Sequence, residues 1–176
     1  MSETIETHDW FNALLKQANN LSDGNQSEEN VLANLSEQAR RTIKALSVPQ
    51  RKDEIWRYSN VNSLFAQPFD VVNNSQTYDA NIADDLLRKF EVADLKSHQI
   101  VVYNGKLLSK PEPLPEGLRI YSLTEALLNK PALLRTWFGQ LAQQEEQVFS
   151  VLNSALINDG LCIHIEQQTK LPLPLE

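Results

Sequence analysis

Val48-Pro-Gln-Arg-Lys-Asp-Glu-Ile-Trp-Arg-Tyr-Ser59 is the densest non-periodic cluster of large and charged residues in the chain. Proline fixes its own φ and lacks an N–H, so Pro49 closes the helical pattern that runs into it. Arg51, Lys52, Asp53, Glu54, Trp56, Arg57 and Tyr58 follow, a mixture too charged for a core segment and too aromatic for a solvated linker. Such a stretch docks elements together: Trp and Tyr carry an apolar body with a polar tip, and Arg and Lys lay their stems over apolar surface while pairing with carboxylates. The expectation is a strap with Trp56 mostly buried and Arg51, Lys52 or Arg57 ion-paired.

On the N-terminal side, Trp10, Phe11, Leu14, Leu15, Ala18 and Leu21 recur at helical spacing, with Thr7 or Asp9 as the cap, and predict a helix over 7–21. Ser22, Asp23, Gly24 and Asn25 have turn composition. Val31, Leu32, Leu35, Ala39, Ile43 and Leu46 then define a second helix ending before Pro49. Two amphipathic helices on a short loop form an antiparallel hairpin that buries little alone, so their apolar stripes need a third surface.

On the C-terminal side, Leu64, Phe65 and Phe69 anchor an irregular stretch, and Ile82, Leu86, Leu87, Phe90 and Leu95 predict a helix that Ser97 and His98 end. Ile100 to Tyr103, Asn104-Gly105 and Lys106 to Leu108 predict a β-hairpin, because Asn-Gly suits the positive φ values of a type I′ turn. Pro111, Pro113 and Pro115 favour an extended connector, and Leu118 to Tyr121 a third strand. Ser122 with Glu125 forms a capping box, Pro131 suits a first helical turn, and Gly139 a stop. A last helix is expected over 145–158, with Val148, Phe149, Leu152, Ala155 and Leu156 inward. Leu161, Ile163 and Ile165 alternate with Cys162, His164 and Glu166, the pattern of a strand with one apolar face. Leu171, Leu173 and Leu175 alternate with Pro172 and Pro174, and Leu161 to Leu175 reads as an unfinished edge with unpaired backbone groups.

The length of 176 residues and a hydrophobic fraction of 41% support a packed core of one ordinary domain or two small ones. A net charge of -7 weighs against nucleic acid, which selects a basic face. The single cysteine, Cys162, excludes an internal disulfide and, with an acidic N-terminus lacking a secretory pattern, points to the cytoplasm. Every apolar run is interrupted well before the roughly 20 residues that span a bilayer.

Chemistry is sparse. Five glycines, none in a phosphate-loop or dinucleotide spacing, argue against nucleotide binding by those devices. Cys162 and His164 share one strand face but supply two ligands where a metal centre needs more, and an iron-sulfur centre needs about four, mostly thiolates. Neighbouring carboxylates such as Asp84 and Asp85 diverge by about 100° on a helix instead of facing one substrate. No catalytic, cofactor-binding or metal-ligating residue is assigned, and no cofactor is expected within the chain.

The run Pro49, Arg51-Lys52-Asp53-Glu54, Trp56-Arg57-Tyr58-Ser59 resembles the entry motif of the SufD family, scaffold subunits of the SUF iron-sulfur cluster assembly machinery within the wider SufB/SufD group. Val151-Leu152-Asn153-Ser154-Ala155-Leu156, Asp159-Gly160 and Leu161 to Ile165 are similar to the segment leading into that family's β-helix core. The resemblance covers chiefly residues 48–176. It implies an α+β fold: a mainly helical N-terminal region over 1–95, then a small mixed α/β region over 96–176 with a β-hairpin, leading into the first strand of a right-handed parallel β-helix mostly absent here. The chain thus reads as the N-terminal fragment of a longer protein. It further implies a non-catalytic subunit acting with a SufB-like scaffold and a SufC-like ABC-type ATPase. The family's C-terminal contact surfaces have no counterpart here. Three further expectations stand beside these: self-association through the strand edge, a small flavin-binding or enzymatic domain using Glu54, Trp56 and Tyr58, and a free-standing helical adaptor.

Overall fold

The computed structural model describes residues 3–21, 30–59, 61–73, 77–79, 81–140 and 147–176, and the expected turn over 22–25 and the start of the last helix lie outside them. Helices α1 (Glu3–Leu21), α2 (Val31–Thr42) and α3 (Asn62–Phe65) come first, then α4 (Asn81–Phe90). Strands β1 (Val101–Tyr103), β2 (Lys106–Ser109) and β3 (Leu118–Ser122) precede α5 (Leu123–Asn129), α6 (Pro131–Trp137), α7 (Val148–Ala155) and β4 (Leu161–Ile165). These elements form two compact units that interleave along the chain: Met1–Asn73 with Arg135–Ile157, and Asn74–Leu134 with Asn158–Glu176.

The first unit is helical. Phe11, Leu14 and Leu15 of α1 share a core with Ala39 of α2, Ile43, and Val148, Val151, Leu152 and Ala155 of α7, so α7 is the third surface that the two N-terminal helices require. Thr7 and Asp9 fall inside α1, which starts at Glu3, and so do not stand at its N-cap position. Asn30 caps α2, its side chain accepting from the N–H groups of Leu32 and Ala33 at 3.1 and 3.2 Å. At the other end of the core the buried Ser36 hydroxyl and Arg40 Nε both donate to the Ala155 carbonyl, at 3.0 and 2.9 Å. Carbonyls in the last turn of a helix lack an intrahelical donor, and α2 supplies α7 with two.

The second unit holds two antiparallel strand pairs, β1 with β2 and β3 with β4. Asn104 and Gly105 adopt φ of 48° and 81°, the left-handed pair of a type I′ turn. The capping box at Ser122 and Glu125 is complete in both directions. Helix α4 stops at Phe90, earlier than the apolar spacing predicts: Asp94 turns left-handed at φ 64°, and Leu95 is exposed. The tail is also not wholly unpaired. His98 N–H donates to the Pro174 carbonyl at 2.8 Å, Glu176 N–H to His98 at 3.0 Å, and Ile100 N–H to Glu176 at 2.8 Å.

The apolar face of β4 departs most from expectation. Cross-strand partners share a sheet face, so Ile163 and Ile165, opposite Ile120 and Leu118, lie on the side where Ile120 and Leu118 are buried. Yet Ile163 is 41% exposed and Ile165 45%, because the sheet has two strands and none lies beyond β4 among the described residues.

Candidate functional site

The 48–59 segment is a tight knob whose shape follows from its own backbone bonds. Pro49 is buried, and the Asp53 carboxylate accepts from Gln50 N–H at 2.8 Å while Asp53 N–H donates to the Gln50 carbonyl at 2.9 Å. A 3₁₀ turn, Glu54–Trp56, continues through Arg57 N–H to Glu54 and Ser59 N–H to Trp56. With three residues per turn, side chains at i and i+3 eclipse and neighbours diverge by about 120°. Ile55 and Tyr58 therefore share one face, and Trp56 takes another.

That divergence decides the electrostatics and packing. Trp56 is half-buried, edge-on to Phe149 at 5.4 Å, and Phe149 stacks on Phe65 at 6.3 Å. Trp10 extends the cluster, edge-on to Phe11 and Phe65, with its indole N–H donating to the Gln67 carbonyl at 3.0 Å. Ile55 and Tyr58 stand outward, 86% and 92% exposed. Arg51, Lys52 and Arg57 are exposed and have no carboxylate partner among the described residues, whose ion pairs lie at Arg41 with Glu37, Arg88 with Asp85, and Arg119 with Glu166.

The expected ion-paired strap with a mostly buried Trp56 is thus corrected. The segment is held by main-chain bonds and one aromatic anchor, because a 3₁₀ turn can bury only one of its faces. Trp56 and Tyr58 take different faces of the turn, with Tyr58 92% exposed. The arrangement exposes an aliphatic, a phenol and three cations on one hydrogen-bonded turn.

Cys162 and His164 share the face of β4 opposite Ile163, both half-buried, across from Tyr121 and Arg119. Burial pushes the Cys162 thiol up, away from the thiolate a metal prefers. No group of three or more His, Cys, Asp or Glu that could hold a metal occurs among the described residues. In the second unit an open cleft of about 430 Å³ is lined by Lys110, Ser122, Glu125 and Asp159. Each of these has a structural duty. Lys110 Nζ donates to the Ile120 carbonyl, Ser122 and Glu125 cap α5, and Asp159 accepts from Thr124 N–H. No helix among the described residues is long and apolar enough to cross a membrane.

Residues 6–176 match the family described as the SufBD protein N-terminal region. An iron-sulfur cluster assembly SufBD family protein of Synechocystis is 26% identical over 152 residues, 85% of this chain and 32% of the relative. A chloroplastic SufBD family protein of Arabidopsis thaliana is 26% identical over 132 residues, 73% of this chain and 22% of the relative. A second Arabidopsis SufBD family protein is 30% identical over 77 residues, 42% of this chain and 16% of the relative. The chain spans at most about a third of the length of the curated relatives it matches. With the knob, the aromatic cluster, the capping box and the strand pair all lying within the matched residues, the chain belongs to the SufBD family of iron-sulfur cluster assembly proteins.

Proposed function

We propose that this chain is the N-terminal part of a SufD-like scaffold subunit that acts by binding and not by catalysis, in a complex with a SufB-like subunit and a SufC-like ABC-type ATPase. The iron-sulfur cluster is the cargo of that complex, and no residue of this chain is assigned to ligating it. The observation that carries the reading is the family match running from residue 6 to residue 176. Its physical support is the knob at 48–59, where Ile55 and Tyr58 stand in water beside three cations with no carboxylate partner among the described residues, on a chain of net charge -7. Exposed aromatic and arginine side chains on an ordered turn have the composition of an interface anchor.

The test is co-purification. The gene product carrying this chain, tagged and recovered from its native host under iron limitation, is expected to bring an ABC-type ATPase and a second SufBD protein in comparable amounts. Recovery of neither defeats the proposal.

A further inference from the structure

Charge is spread unevenly along this chain. Residues 40–59 hold six of its 16 basic residues, Arg40, Arg41, Lys44, Arg51, Lys52 and Arg57, and two of its 23 acidic ones, Asp53 and Glu54, so a local positive excess sits within a chain of net charge -7. Two of the cations are engaged within the fold: Arg40 donates to the Ala155 carbonyl and Arg41 pairs with Glu37. Lys44, Arg51, Lys52 and Arg57 are exposed, with no carboxylate at ion-pair distance among the described residues. Of the two acids, Asp53 is turned back onto Gln50 N–H and Glu54 is exposed.

Beside these cations stand the two most exposed large hydrophobic side chains among the described residues, Ile55 at 86% and Tyr58 at 92%. Three positions apart along a 3₁₀ turn, they project together, while Trp56 is directed onto Phe149. Ile55 and Tyr58 gain by leaving water, and the guanidinium groups next to them select carboxylates, which they meet with paired N–H donors.

The charge pattern discriminates among occupants. A nucleic acid or an anionic membrane is negative over a span far wider than one turn, and would bring the acidic remainder of the chain within the roughly 8 Å over which charges act at physiological salt. A second copy docked knob to knob would set cation against cation. A protein surface can be acidic over the width of the turn and no further. We infer that residues 51–58 dock onto another polypeptide of the assembly at an apolar pocket rimmed by Asp and Glu, with Ile55 and Tyr58 in the pocket and Arg51, Lys52 and Arg57 on its rim. The inference rests on the assembly reading above and adds the chemistry of the contact.

The experiment uses the whole gene product with the SufC-like ATPase and the second SufBD subunit. With p-benzoylphenylalanine in place of Tyr58, illumination is expected to join the knob to a peptide of one of those two proteins in which Asp or Glu flanks apolar residues. Arg51→Glu together with Arg57→Glu should weaken binding at least about tenfold at about 0.15 M salt, with thermal stability unchanged because both side chains are exposed. Changing the cross-linked carboxylate to Lys should weaken binding of the unaltered protein and restore binding of the doubly reversed one, a rescue that loss of folding cannot produce. Cross-linking of Tyr58 to later residues of its own chain, to lipid or to nucleic acid overturns the inference, and so does a partner peptide without carboxylates. Undiminished co-purification of the doubly reversed protein overturns it while leaving the assembly reading intact, whereas failure of the unaltered protein to co-purify with either partner defeats both.

Discussion

Trp56 is only half covered, so its removal costs less than the roughly 3–5 kcal/mol of a fully buried aromatic. Trp56→Ala is expected to lower unfolding stability by about 2 kcal/mol in denaturant titration, whereas Ile55→Ala and Tyr58→Ala should each stay within about 0.5 kcal/mol. A loss of stability on changing Tyr58 would show that its ring packs on the protein. Val151, with 0% exposure at the centre of α7, is the contrasting case: Val151→Ala removes about two buried methylene equivalents and leaves a cavity, for about 2 kcal/mol. The residue types of the knob were legible in the sequence, and their directions were not. Spacing along a chain names a face only when the period is known, and a turn of period three sends Trp56 inward while aligning Ile55 with Tyr58 outside.

The hairpin turn and the capping box, whose signals are local, were read correctly. Asn104-Gly105 and Ser122 with Glu125 specify a turn and a cap through bonds within four residues, and both are present. Ser122→Ala should therefore destabilise by about 1 kcal/mol, seen as a lower midpoint with an unchanged denaturant slope. Elements ended or oriented by tertiary contacts were not legible. Helix α4 ends at Phe90, although apolar spacing continues to Leu95, since nothing in Glu91-Val92-Ala93 breaks a helix and only the left-handed Asp94 marks the turn. The apolar alternation of β4 gave its faces correctly and their burial incorrectly, because alternation cannot report that a strand lies at an edge.

At the scale of the molecule, the interleaving of the two units was beyond local patterns, because it depends on α7 returning to α2 through the Ser36 and Arg40 bonds to Ala155. The far end of the chain is tied by Glu176, whose carboxylate accepts from the Ser97 hydroxyl and from Val92 N–H, and these bonds hold its pKa below the usual glutamate value. A carboxyl depressed by folding adds stability above its unfolded pKa of about 4.3 and loses it as pH falls through the lower folded value. Thermal unfolding should therefore fall with acidity below about pH 4.5, and Glu176→Gln should flatten that part of the profile. The same scale holds the central proposal, that a chain of this family serves iron-sulfur assembly by binding. The measurement that reaches it most directly is light scattering on the purified gene product mixed with the SufC-like ATPase and the second SufBD subunit from the same genome. The expected result is one species whose mass contains all three proteins, diminished by Tyr58→Ala and Arg57→Ala together at unchanged thermal stability. Elution of this protein alone at its own mass, with both partners present at about 100 µM, well above a micromolar dissociation constant, would contradict it.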